Sequence, residues 1–473
     1  MRTVRFRRKG LAGAVGAAVL SLSAGQALGS AFALQEQNAS GLGHAYAGGA
    51  AAAEDVSTIF FNPAGLVRLQ TTQIVVAGNI ICPSSKFHDN GSQPAGFGQP
   101  LGGTGGDAGS CAAVPNLYVG VPFTDKWSFG LGVNVPFGLE TKYDSDWLGR
   151  FQAIKSRLET VNINPVLSWE PTKSLTVGGG FSYQHLKAEL GSHANYAAAF
   201  AQGVGSAVAS GAVPPAFAST LIGAGAGLES NVKITGNDSG WGWNVGVLWQ
   251  ADPQTRYGAA YRSRIKYTVG GSVEFTNPTS LGPLPAPLLP AGTAIMAGVN
   301  SALANGDVTL AIKMPDTANV SIFHEFNNKW DLMADLQYTG WSSIQELKVV
   351  RSTGVVLQTT PENFRDTWRG SVGANYRYSD AWTLRGGLAY DQSPVRDAQR
   401  TPRLPDNDRT WVALGAQYKY SPAIAVDFAW AYIFVRDPSI NQNEGSIAGN
   451  GLISGSYKSN VNIVGLQLTY TMK

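Results

Sequence analysis

Three basic residues, Arg262, Arg264 and Lys266, recur at every second position of residues 257–267. Positions two apart share a face in extended backbone, so this spacing places a row of cations on one side of a strand. Tyr257, Ala259, Tyr261, Ser263, Ile265 and Tyr267 fall on the other side. A guanidinium presents a planar fork of N–H donors that matches a carboxylate bidentately, and an ammonium adds a compact point charge. Lys187 and Lys348, near long loops, extend this set of candidate carboxylate holders. The alternative use of the same cations is internal, with Asp331, Asp335, Glu189 or Asp366 neutralising them to stabilise a polar interior.

Apolar material is the second chemical resource. Residues 197–200, 214–217 and Leu221-Ile222 are apolar stretches inside loop-like sequence, and with Phe137 and Leu139 they would form a groove for a hydrocarbon chain, Phe200 and Phe217 included. Burying such a chain gains ~0.8 kcal/mol per methylene, so partial enclosure suffices for capture. The alternative is that these loops pack only on themselves. Catalysis finds little support: His44, His88, His185, His193 and His324 sit in no nucleophile motif, and no glycine-rich run has the context of a phosphate loop. No cofactor and no metal is implied. A net charge of +3, scattered along 473 residues, does not suggest nucleic acid.

The elements that must position these residues are strands. Arg2, Arg5, Arg7, Arg8 and Lys9 precede the apolar residues 11–22, which reads as a secretory signal peptide covering residues 1–33. Cleavage is offered by the small-x-small run Ala31-Phe32-Ala33 or, as a second choice, by Ala27-Leu28-Gly29. Beyond it no uninterrupted apolar run reaches the about 18 residues that a spanning helix needs. From residue 71 onward the chain alternates instead. Trp330, Leu332, Ala334, Leu336 and Tyr338 interleave with Asp331, Met333, Asp335 and Gln337, and Val426, Phe428, Trp430, Tyr432 and Phe434 interleave with Asp427, Ala429 and Ala431. A soluble sandwich would keep its aliphatic face for the core, whereas an aromatic-rich apolar face suits lipid.

Short turns at 123–127, 170–173, 251–254, 326–330, 378–382 and 420–423 alternate with long loops at 82–111, 137–156, 191–229, 277–305, 349–364, 393–407 and 437–456. That asymmetry predicts an all-β, transmembrane antiparallel β-barrel of the outer-membrane type over residues 71–473, with ~14 strands. Only 14% of residues are charged, as a barrel with lipid outside and a small-residue lumen requires. Residues 34–70 do not alternate. Their small residues, together with Ile59, Phe60 and Phe61, suit a lumenal hatch, in which Asn62-Pro63-Ala64 makes a fixed turn. Cys82 and Cys111 fit an oxidising compartment and a disulfide within the first long loop, where closing a loop of this size stabilises by roughly 3 to 4 kcal/mol. Residues 127–135 read as the third strand; Pro136 then removes a ladder donor and Gly138 loosens the backbone, so pairing fails at Pro136-Phe137-Gly138.

The hatch segment carries a pattern of its own: Gln37-Asn38-Ala39-Ser40-Gly41-Leu42-Gly43, Ala45-Tyr46-Ala47-Gly48, Glu54-Asp55, and Phe60-Phe61-Asn62-Pro63-Ala64-Gly65-Leu66. It resembles the N-terminus of the long-chain fatty acid transporter family of outer-membrane proteins, the FadL type. The resemblance continues through Gly130-Leu131-Gly132, Gly240-Trp241-Gly242-Trp243-Asn244, Tyr261-Arg262-Ser263, Thr339-Gly340-Trp341-Ser342, Asp391-Gln392-Ser393-Pro394-Val395 and Pro405-Asp406-Asn407-Asp408-Arg409. It implies a 14-stranded barrel with an N-terminal hatch, and passive uptake of long-chain fatty acids or, in some branches, aromatic and alkane hydrocarbons. It also implies that the strand-three break opens the wall sideways, so that ligand leaves into the outer leaflet. The positions comparable to a relative's carboxylate-holding basic residues read Leu190 and Thr360. The expected partners are thus a fatty acid or other hydrophobic small molecule and outer-membrane lipid, with the protein acting as a monomer. A water-filled general porin, an adhesin or a lipid hydrolase are the rival classes, and a plugged lumen argues against the porin.

Overall fold

Each strand of this chain has one apolar face and one small or polar face, and a closed sheet can turn every apolar face outward. The computed structural model, which describes residues 31–443 and 447–472, is such a sheet. Among the described residues, fourteen antiparallel strands close on themselves, and six of them are broken into two segments. The first seven are β1 (Thr72–Asp89), β2 (Ala112–Thr124), β3 (Trp127–Asn134 and Gly138–Lys142), β4 (Lys155–Thr172), β5 (Leu175–Ala194), β6 (Ser230–Gln250) and β7 (Thr255–Arg262 and Ile265–Thr276). The others are β8 (Gly306–Met314 and Thr317–Glu325), β9 (Trp330–Thr339 and Glu346–Arg351), β10 (Val356–Pro361 and Thr367–Arg377), β11 (Trp382–Asp391), β12 (Arg409–Ser421), β13 (Ile424–Val435 and Ser439–Gln442) and β14 (Ile453–Met472). Pairing of β14 with β1, from Thr72 opposite Met472 to Asp89 opposite Gly455, removes the free edge.

The six turns expected to be short join β2 to β3, β4 to β5, β6 to β7, β8 to β9, β10 to β11 and β12 to β13. Val76, Phe181, Trp241, Leu332 and Phe428 are exposed on the outer face, while Asn79, Asn162, Ser182, Asp335 and Asp427 are buried on the inner one. Stacked aromatic pairs gather near the short turns, Trp127 on Trp169 at 5.4 Å and Trp249 on Tyr257 at 5.7 Å, as at a membrane interface. The Cys82–Cys111 disulfide closes the long-loop end of the β1–β2 pair.

Two expectations about the strands need correction. Residues 257–267 are not one continuous alternation, because β7 breaks at Ser263-Arg264. Arg262 faces the lumen, but so does Ile265 three residues on; an odd step across the break inverts the phase and puts Arg264 and Lys266 outside. Several long loops also carry regular structure. Residues 191–229 contain helices at Tyr196–Ala209 and Ala218–Ala224, 277–305 contains one at Leu289–Ala302, and much of 349–364 belongs to a hairpin formed by the outer segments of β9 and β10. Ala-rich sequence and the Asn195 side chain, which accepts from the Ala198 N–H, account for the first helix.

The segment preceding β1 fills the lumen. Leu42, Tyr46, Ile59 and Leu66 are buried against the inner wall. The plug begins earlier than residue 34: Ala31 and Phe32 are also buried, and Ala33 pairs with Phe137. Signal cleavage after Ala33 would remove these three residues from the wall, whereas cleavage after Gly29 would leave them. The rest of the signal-peptide reading lies outside the described residues.

Candidate ligand-binding site

The break in β3 is a hole in the ladder. Its first segment pairs with β2 and β4, but Gly138–Lys142 pairs with β4 alone, so among the described residues positions 112–116 of β2 face no strand partner on that side. The backbone freed by Pro136 is satisfied from two directions. Thr160 on β4 accepts the Phe137 N–H on its hydroxyl (2.9 Å) and donates the same hydroxyl to the Phe137 carbonyl (2.8 Å). From the lumen, the N-terminal segment acts as a short added strand: Leu34 N–H donates to the Pro136 carbonyl at 2.8 Å and Gly138 N–H to the Phe32 carbonyl at 2.9 Å. The expected failure of pairing at Pro136-Phe137-Gly138 is present, and residues 32–34 cover it.

Behind this seam lies a cavity of about 60 Å3, lined among others by Leu34, Phe60, Phe61, Phe137, Asn244 and Arg262. Arg262 is the one predicted cation that the fold brings to it. Its guanidinium lies 4.4 Å over the Phe60 ring and donates to the Ser182 hydroxyl (3.1 Å) and the Phe60 carbonyl (3.0 Å). Among the described residues no carboxylate pairs with it. Asn244 stands opposite Arg262 in the β6–β7 pair; its carbonyl oxygen accepts from Asn164, while its buried amide nitrogen has no acceptor among the described residues. Two donors, one charged and one unused, therefore line the same cavity.

Nearer the long loops is a pocket of about 90 Å3, lined by aliphatic side chains that include Leu158, Leu186, Leu190, Ile234, Val269 and Leu347. Between the two cavities runs a continuous apolar cluster. At its centre Phe32, Phe137 and Trp341 meet edge to face, with ring centroids 4.7 to 6.3 Å apart, and Phe364 extends the group. A track of packed apolar side chains thus runs from the loop-end pocket to the seam.

The hatch turn sits below this track. Asn62 donates its amide to the Ala50 carbonyl (2.7 Å) and to the Val247 carbonyl of β6 (2.9 Å), while its oxygen accepts the Ala64 N–H (3.0 Å). Pro63 starts a 3-10 turn, for which its fixed φ is suited. On the far wall Glu54 accepts from Asn375 (2.5 Å), lies 3.3 Å from Arg385 and faces His44 at 3.6 Å. Burial pushes the Glu54 carboxyl up, but Arg385 and His44 outweigh it and hold the group well below the usual carboxylate range.

Other candidates separate from the site. Arg264 pairs with Asp316 at 2.8 Å, and Lys266, Lys187 and Lys348 alternate with inward apolar residues and point outward. The internal pairing considered for these cations occurs with other partners, as in Arg377–Asp331 and Arg385–Asp427. Phe137 and Leu139 lie in the apolar track, but Phe200 is buried in a separate core formed by the loop helices with Tyr196, Leu221 and Met296, and Phe217 is exposed. The joint landing groove therefore does not form; the loops pack on themselves. Sequence reasoning placed Phe32 at a cleavage site and assigned Trp341 and Asn244 no role. Their only local signal was membership of motif-like runs, because what unites them is proximity across the barrel.

Comparison with known proteins bears on all of this. Residues 20–472 match the family model described as outer membrane protein transport protein (OMPP1/FadL/TodX). The chain is 30% identical to outer membrane protein P1 of Haemophilus influenzae over 96% of this chain and 98% of that protein. It is 29% identical to the long-chain fatty acid transport protein of Escherichia coli K12, covering 90% and 92%. Among solved structures, a Pseudomonas aeruginosa FadL homologue superposes with a TM-score of 0.79 at 25% identity over 93% of this chain and 99% of that one. The Ralstonia pickettii toluene transporter TbuX shares the fold, at 19% identity and a TM-score of 0.61, over 92% and 98%. A hatched barrel with a broken third strand and an apolar lumenal track, matched over nearly its whole length, belongs to the FadL-type family of outer-membrane transport proteins.

Proposed function

We propose that this protein carries long-chain fatty acids inward across the outer membrane by passive diffusion and releases them sideways through the β3 break. The observation that carries the reading is the pairing of Arg262 with the unused Asn244 amide at the inner end of the apolar track. A half-buried guanidinium held only by neutral acceptors lacks the charged partner it binds best, and a carboxylate supplies one. The relatives named for long-chain fatty acid transport support the same reading. Direction comes from consumption of the ligand inside the cell. A second reading, uptake of neutral hydrocarbons, draws on the dry aliphatic pocket, which holds no cation where Leu190 stands.

Binding of oleate and of oleyl alcohol, followed by tryptophan fluorescence, separates the two. Arg262→Gln removes a hydrogen bond to a charged group, so it should weaken oleate by about tenfold to a hundredfold and leave the alcohol unchanged. Equal affinity of both ligands for the unmodified protein and the variant would favour the hydrocarbon reading.

A further inference from the structure

We infer that the Cys82–Cys111 bond frames the opening beside β3 and so decides how bulky a ligand can leave through it. This rests on the sideways release proposed above and names the part of that exit that selects by size.

The opening is bounded on every side. Towards the short turns, the β2–β3 ladder ends where Leu117 faces Val133. One flank is formed by positions 112–116 of β2, paired to β1 only, and the other by the break and the segment Gly138–Lys142, paired to β4 only. Towards the long loops a crossbar closes it. Ala108 donates its N–H to the Ser85 carbonyl of β1 at 2.9 Å and accepts the Lys142 N–H of β3 at 3.1 Å, so one residue of the first long loop bridges both strands. Asp107, opposite Lys86, pins this crossbar: its carboxylate accepts from the Ser84 hydroxyl (2.6 Å), the Ser85 N–H (2.7 Å) and the Gly109 N–H (3.1 Å).

Between crossbar and flank the ladder to β1 lapses. It stops where Ile81 faces Ala112 and resumes where Lys86 faces Asp107, and residues 109–111 lie in the interval. Pro83 explains the lapse, since it brings no N–H to this stretch, and its carbonyl comes so close that a Cβ at Gly109 would stand 2.3 Å away. Cys82 and Cys111 are the next residues after Ile81 and Ala112, so the bond joins β1 to β2 where hydrogen bonding gives out. β1 itself stays paired to β14 through this region, which makes it a fixed anchor. The flank turns Ala113 and Pro115 outward, side chains too small to fill the opening, so its width follows from where the β2 backbone is held. Without the bond, β2 is released at the crossbar end and frays from Ala112 downward, because a ladder paired on one side resists fraying least at its end. A slender alkyl chain passes a narrow gap between fixed flanks; a broad ring system needs the flank to yield.

Uptake of labelled palmitate and of its pyrene-capped analogue, measured side by side in cells that depend on this barrel, tests this. The double variant Cys82→Ser, Cys111→Ser should raise the ratio of pyrene-capped to plain acid several-fold, and hydrogen exchange of peptides covering residues 105–116 should quicken. Cys111 is exposed and Cys82 half-buried, so a water-soluble phosphine reductant can reach the bond in the inserted, unmodified protein and should produce the same rise. It should add nothing to the double variant. Asp107→Ala, which loosens the crossbar with the bond intact, should raise the ratio less. Should the double variant fail to insert, the reductant arm still decides. An unchanged ratio once mass spectrometry confirms loss of the bond, or an equal change for both acids, overturns size selection by this frame. Gly138→Val reports on the exit separately: if neither acid is slowed by it, sideways release fails and this inference with it, whereas slowing of palmitate with an unchanged ratio overturns this inference alone.

Discussion

A carboxyl buried without a partner favours its protonated form, because desolvation penalises only the charged state. Glu36 in the hatch is fully buried, and neither carboxyl oxygen has a hydrogen-bond partner among the described residues. Burial pushes it up to about 7; its own backbone N–H, Arg409 and Arg369 pull the other way, and Asp391 adds to the push. Tyr46 also faces it, and Asn79 and Asn116 hold its main-chain carbonyl at 2.8 and 3.0 Å. Because the folded value lies above the unfolded one, the stabilising contribution is complete below about pH 4.5 and is lost as pH rises through 7. Ionising Glu36 costs the seated hatch on the order of 3 kcal/mol. Opening events in planar bilayers should therefore become more frequent between pH 5 and pH 8, and Glu36→Gln should flatten that dependence. An unmodified protein with the same opening frequency at both values would show that the group does not govern seating.

At the scale of elements, the N-terminal segment and the broken third strand form one device. Pro136 withdraws a donor, the ladder to β2 lapses, and residues 31–34 occupy the freed backbone from inside. The proposed release into the outer leaflet would require that this patch move while the break persists. Gly138 lies where a side chain would crowd the opening: a Cβ there would stand 3.1 Å from Leu34 Cδ1, the far end of a side chain able to give way. Gly138→Val should thus fold and insert, favour extended backbone at the break, and cut uptake of labelled oleate several-fold while surface binding persists. Transport at the unmodified rate in that variant would point instead to passage through the lumen towards the short-turn side.

The whole molecule is a closed ring of strands around a buried plug. Closure of β14 on β1 satisfies the sheet edge, and the Cys82–Cys111 bond staples the long-loop end of the β1–β2 pair. Among the described residues the plug pairs with the ring only where Ala33 meets Phe137, so the ring can persist without it. Deleting residues 34–70 should leave an inserted barrel of higher single-channel conductance, since the polar inner wall would then face water. If the deletion conducts no better than the intact chain, the loops rather than the hatch close the lumen. Those loops pack their helices into a core of their own, with Tyr196, Phe200, Leu221 and Met296 at its centre.

Period-two alternation, six short turns and the proline-glycine interruption of the third strand are local properties of the chain, and they determined the barrel, the strand number and the place of the break. Hatch and disulfide were legible for the same reason: composition marks the one, and the other is the sole pairing that two cysteines allow. The site was legible only in part. Alternation assigned Arg262 to the lumen correctly but carried Arg264 and Lys266 with it, because a phase inversion across one break leaves no mark in the composition. Phe32, Trp341 and Asn244 lie far apart in sequence and in segments with different local patterns, and the closed sheet alone brings them to one track. Whether the loop phenylalanines met Phe137 was likewise decided by packing: Phe200 found apolar neighbours on adjacent loop helices, and once buried there it had no surface left to offer a ligand.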